Sequence, residues 1–162
     1  AGAAARIVAA MEAHVGDADV AEEGCDAIAN LAAGGSDGRR EQLMDAGAAA
    51  RIVAAMEVHV GDADVALNGC SAIGKLAFSS TYSEKLFRAG AAKRIVAAME
   101  AHVGDADVAE EGCTAIANLA AGGSDGRREQ LMDAGAAARI VAAMEAHVRY
   151  PDVVTQGCAA IA

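Results

Sequence analysis

Apolar residues recur at helical rather than strand spacing along almost the whole chain. The segment "RIVAAME" begins at Arg6, Arg51, Arg94 and Arg139, and in its second copy Ile52, Val53 and Met56 share one stripe. That pattern predicts an amphipathic helix over residues 48–60, followed by Gly61 as a C-cap. A shorter helix over 37–46 precedes it, with Ser36 or Asp37 as N-cap and Leu43 and Met44 turned inward. Gly47 lies between the two and permits a sharp change of direction. A third helix is predicted over 62–77. In the last copy Pro151 stands where the others have Ala18, Ala63 and Ala106. Proline favours the first helical position, so the N-cap falls on Asp17, Asp62 and Asp105.

The pattern repeats. Cys25, Cys70, Cys113 and Cys158 are separated by 45, 43 and 45 residues, and His14, His59, His102 and His147 keep the same spacing. A period of this size predicts a helical solenoid, read here as three helices per unit. The units fall at about 1–35 (partial), 36–78, 79–122 and 123–162 (partial) within a single array. Residues 1–45 and 89–133 differ at two positions, Ala5 against Lys93 and Asp26 against Thr114, which implies recent duplication or design. The divergent second unit and its shortened junction "FSSTYSEKLFR" (78–88) favour natural origin. The chain opens in mid-unit at "AGAAARIV" without a methionine, so it is expected to be a fragment of a longer protein.

Comparing copies of the third helix divides its circumference. At ~100° per residue, Val20, Gly24, Cys25, Ala27, Ile28 and Leu31 share one side, and their counterparts stay the same in the other units. The opposite side changes. Glu22 becomes Leu67, Glu110 and Thr155; Asp26 becomes Ser71, Thr114 and Ala159; Asn30 becomes Lys75 and Asn118; Ala29 becomes Gly74 and Ala117. A solenoid must stack like interiors, because each unit's inner face is its neighbour's wall. Gly24 in mid-helix costs ~1 kcal/mol relative to Ala. Keeping it in every copy predicts a neighbour pressed where a methyl group would clash, and Cys25 is then a small buried filler. The changing side is free of that constraint and, stacked, forms a continuous surface on which solenoids bind.

The unit resembles the armadillo repeat. The resemblance rests on three helices per unit, the "DAG" break at 45–47 and a third helix of the form "EGCDAIANLA", and it covers the whole chain. HEAT-like repeats are the runner-up; the separate third helix and the glycine break favour armadillo. The resemblance implies an all-α, right-handed α-solenoid whose third helices line a concave groove for extended peptides. In that family an Asn near the end of the third helix holds the peptide backbone, a position matched here by Asn30 and Asn118 and occupied by Lys75 in the second unit. The importin alpha subset carries a Trp one turn earlier, where this chain has Asp26, Ser71, Thr114 and Ala159. The likeness therefore reaches an armadillo-type interaction module and not an importin-type reader of nuclear localisation signals.

Composition agrees. Hydrophobic residues make up 54% of 162, much of it alanine, while aromatics are 2% and Pro is 1 residue, which favours closely packed helices. The formal charge of −10 offers no basic stripe for a phosphate backbone, so nucleic acid is not an expected partner. Charged residues interrupt every apolar run well short of the ~18 a membrane span needs. One cysteine per unit reads as reduced thiols, which places the protein inside the cell, in cytoplasm or nucleus. The acidic turns "GDADV" lack the further ligands of a calcium loop, "AAGGSDG" (32–38) lacks the Lys-Ser/Thr of a phosphate loop, and no Cys or His spacing suits a metal. Phe78, Tyr82 and Phe87 read as a patch filling the irregular junction, with a partner anchor as the alternative.

The sequence therefore predicts a non-enzymatic scaffold without cofactor. It binds a protein or peptide carrying basic residues through Glu22, Asp26, Asn30, Ser71, Lys75, Glu110, Thr114 and Asn118. Its alternative is a structural building block that associates end to end with its own kind through the exposed stacking faces.

Overall fold

The computed structural model describes residues 2–34, 37–121 and 125–161, and the described residues form helices and turns with no strand. A pair of helices, α1 (Ala3–Ala13) and α2 (Ala18–Ala33), is followed by three triplets. These are α3 (Asp37–Asp45), α4 (Ala48–Val58) and α5 (Ala63–Leu76); α6 (Ser80–Ala89), α7 (Ala91–Ala101) and α8 (Ala106–Ala120); and α9 (Asp125–Asp133), α10 (Ala136–Ala146) and α11 (Pro151–Ile161).

Local chemistry sets the boundaries. The Asp17 carboxylate accepts from the Val20 N–H, Asp62 from Asp64 and Val65, and Asp105 from Asp107 and Val108, so the GDADV turns are N-caps. Gly47, Gly90 and Gly135 have φ of 90°, 94° and 87°, the left-handed backbone that turns each short helix into the next. One expected stop moves. The helix over "RIVAAME" ends at Val58 with His59 as C-cap, before Gly61. The Asp62 N–H donates to the His59 carbonyl at 2.9 Å, closing the turn upstream of the glycine. Leu43 and Met44 are buried as expected; Ser36 lies outside the described residues.

The third helices α2, α5, α8 and α11 lie side by side in chain order and make the most extensive contacts in the molecule. The second helices α1, α4, α7 and α10 form a parallel row behind them. This is an α-solenoid, and its core is continuous through the described units.

The repeated Gly-Cys pair has a specific explanation. A Cβ added at Gly24 would lie 2.5 Å from Met11 Cγ, at Gly69 2.6 Å from Met56 Cγ, at Gly112 2.6 Å from Met99 Cγ, and at Gly157 2.6 Å from Met144 Cγ. Each RIVAAME methionine therefore sits in a notch that only glycine leaves open. Beside it Cys25, Cys70 and Cys113 are 0% exposed, whereas Cys158 in α11 is exposed. All four are free thiols.

The histidines join successive units. His59 Nε2 lies 3.0 Å from the Val15 carbonyl, His102 Nε2 3.0 Å from that of Val60, and His147 Nε2 2.9 Å from that of Val103. Nε2 carries the proton in each case, because a carbonyl can only accept. Ion pairs follow the same register: Arg51 with Glu12 at 3.7 Å, Arg94 with Glu57 at 3.3 Å and Arg139 with Glu100 at 3.7 Å.

Candidate interaction face

On α5, which has a third helix on each side, Val65, Ala66, Gly69, Cys70, Ala72, Ile73 and Leu76 are buried. Asp64 is exposed, and Leu67, Asn68 and Lys75 are half-buried. Those open positions are spaced by one helical turn, so they define a stripe along the helix. The same register on α8 leaves Asp107 exposed and Glu110, Glu111, Thr114 and Asn118 half-buried. On α2 it leaves Glu22 half-buried and Asp19, Glu23, Asp26 and Asn30 exposed. Adjacent stripes are brought together because the third helices are adjacent.

Two positions depart from the expected open side. Ser71 is 8% exposed, so it is a buried member of the stripe. The Ala29, Gly74 and Ala117 series belongs to the junction in its first two members: Ala29 is 1% exposed, and a Cβ at Gly74 would meet Ala115 Cα at 3.4 Å. That flank changes between copies because two small residues, Ala and Gly, both allow close helix approach. Conversely, Glu23, Asn68 and Glu111 sit on the open stripe and were not among the predicted residues. The signal was present, since this position also differs between copies and lies ~20° from Asn30 on the wheel.

The asparagines already have intramolecular partners. Asn118 donates from Nδ2 to the Gly74 carbonyl at 3.1 Å, tying α8 to α5. Asn30 donates from Nδ2 to Asp26 Oδ2 at 2.8 Å within its own helix. Each Nδ2 carries two hydrogens, so these bonds leave donor capacity at both amides. In the second unit the Lys75 carbonyl accepts from Arg40 Nε at 3.3 Å.

The stripe is acidic at its N-terminal end. Partial desolvation raises the Glu22 carboxyl above the usual carboxylate range, and Asp64, Glu23, Asp62 and Asp19 raise it further. Glu110 is raised by desolvation and then by Asp152, Glu111 and Asp107. Asp62 and Asp64 belong to the triplet after Glu22, and Asp152 to the triplet after Glu110. The repulsion therefore runs across the junctions as well as along each helix. Leu67 occupies the intervening equivalent position and packs against the core.

The three buried thiols are chemically quiet. Burial pushes Cys25 up to about 12 and Cys113 up to about 11, and it raises Cys70 as well. A thiol held protonated is a poor nucleophile and metal ligand. Among the described residues no three His, Cys, Asp or Glu side chains converge as a metal site requires, and no helix is long and apolar enough to cross a membrane. At the irregular junction Tyr82 and Phe87 pack against the core, with the Tyr82 hydroxyl donating to the Asp37 carbonyl at 3.4 Å. Phe78 is 71% exposed under the Arg40 guanidinium, which lies 4.4 Å from its ring centre.

Triplets of helices stacked in register, with a diversified stripe on each third helix, define an armadillo-type repeat array. A family model described as LRRK2 ARM repeat matches residues 4–161, and the chain belongs to that family. No curated protein matches it.

Proposed function

We propose that the protein is a non-enzymatic interaction scaffold. An extended partner segment with basic residues lies in the groove lined by Glu22, Asp26, Asn30, Ser71, Lys75, Glu110, Thr114 and Asn118. The observation that carries this reading is the placement of carboxylates along the open stripe and across its junctions, Asp19, Glu22 and Glu23 beside Asp62 and Asp64, and Asp107, Glu110 and Glu111 beside Asp152; desolvation first and this crowding second raise the Glu22 and Glu110 carboxyls. A cation bound beside each of these carboxylates relieves the repulsion around it, and the spare amide hydrogens of Asn30 and Asn118 suit a peptide backbone. Ser71 contributes through packing rather than through an open hydroxyl, and Glu23 and Glu111 add to the acidic end. One unpaired cysteine per unit supports a reading of reduced thiols and of a scaffold that works inside the cell, in cytoplasm or nucleus.

The test is fluorescence anisotropy with an extended, Lys- and Arg-containing peptide. Glu22→Gln with Glu110→Gln is expected to weaken binding about tenfold at low salt, equivalent to ~1.4 kcal/mol, and less as salt screens the charges. Affinity unchanged by the double substitution would remove the groove assignment.

A further inference from the structure

We propose that a row of exposed valines along one edge of the array is a second docking surface. Its occupant is an amphipathic partner helix with an apolar residue at every seventh position and Lys or Arg beside it. The turn between second and third helices carries Val15, Val60 and Val103 at the same place in successive units. His59 and His102 reach the carbonyls of Val15 and Val60, so these turns follow one another at single-unit steps. The side chains are 48%, 45% and 52% exposed. Val60 and Val103 each have a unit stacked on either side, so stacking leaves them open. The histidine bond needs only a main-chain carbonyl, which any residue would supply. The second unit, which diverges from the others, keeps Val60 and adds an exposed valine at Val58, where the first and third have Ala13 and Ala101.

Charge and pitch say what fits. Each valine is followed within four residues by two carboxylates, Asp17 and Asp19, Asp62 and Asp64, or Asp105 and Asp107. No Lys or Arg stands between Arg51 and Lys75 or between Arg94 and Arg127. Arg94 and Arg139, which reach the ends of the preceding second helices, are paired with Glu57 and Glu100. The edge is therefore apolar and anionic side by side, and a partner must bring an apolar row with cations next to it. Packed helices lie ~8–10 Å apart, which sets the step from one valine to the next. Seven residues of α-helix rise ~10.5 Å and return to nearly the same face. An extended strand repeats its face every ~6.7 Å and misses that pitch. Polyproline II repeats at ~9.3 Å but docks on aromatic-lined grooves, and none of the three HVGDAD turns carries Phe, Tyr or Trp. The valines lie outside the groove set, so they separate the two readings even though Asp62 and Asp64 border both surfaces.

Anisotropy of a labelled three-heptad helical peptide, with Leu at every seventh position and Lys beside each Leu, tests this. The peptide is expected to bind the protein, and Val60→Asp with Val103→Asp to weaken it about tenfold with an unchanged melting curve. Those substitutions add negative charge, so the loss cannot come from weaker attraction for Lys. The extended Lys- and Arg-containing peptide of the groove test should keep its affinity for the same variant. Moving Leu to every sixth position spreads the apolar residues around the helix and should abolish binding. The proposal is overturned if the heptad peptide does not bind or is indifferent to the valine substitutions. Equal binding of the six-residue register, or of a proline-rich peptide with Leu at every third position, overturns it too.

Discussion

The invariant glycine and methionine of each unit are one packing device. Gly69→Ala gains helix propensity but drives a methyl group to 2.6 Å from Met56 Cγ in a site that is 4% exposed. Overpacking outweighs the gain, and a net destabilisation of about 1–2 kcal/mol is expected in urea titration. With Met56→Ala in place the same substitution should cost at least ~0.5 kcal/mol less, and strict additivity in that double-mutant cycle would refute the notch. The buried thiols make a second prediction. Their ordinary value is 9.0, and folding raises it, so the unfolded chain ionises first as the pH climbs. Stability is therefore full below pH 9 and falls as pH rises through the window up to about 11–12, by up to ~1.4 kcal/mol per pH unit per thiol. Replacing Cys25, Cys70 and Cys113 with Ala should flatten that slope. The glycine clash was legible from the sequence because a mid-helix glycine kept in four copies needs a cause; the identity of the partner was not, because the wheel shows direction and not what lies there.

At the scale of the helix, ends are decided by few groups. Asp62 caps α5 through the N–H groups of Asp64 and Val65, and Asp62→Ala is expected to cost about 1 kcal/mol in urea midpoint analysis. The proline of the last unit made these caps readable in advance. The stop at His59 was hidden, since a glycine two residues later carries the stronger compositional signal while the deciding bond is main-chain to main-chain. Likewise Gly74 looked like a diversified surface residue by sequence comparison. Its flank varies within the limit of a close helix approach, a constraint that appears only when the neighbouring Ala115 is in place.

For the whole molecule, the solenoid was legible from period alone, and what periodicity could not convey was how units hold one another. The histidine is the clearest case: its recurrence was plain, but its acceptor lies 44 residues upstream on a main-chain carbonyl. His102→Ala should lower stability by about 1 kcal/mol and speed amide hydrogen exchange in both units it joins, since a shared junction is lost. The main-chain acceptor has a consequence for heredity. A contact that reads only the path of the backbone takes no account of which module stands on either side, and the Arg–Glu pairs beside it recur at every described junction. Segments 1–45 and 89–133 are interchangeable at all but two positions, so misaligned recombination between them lengthens or shortens the protein by whole modules and creates no foreign seam. Array length is thereby a variable that selection can adjust apart from the chemistry of any single module.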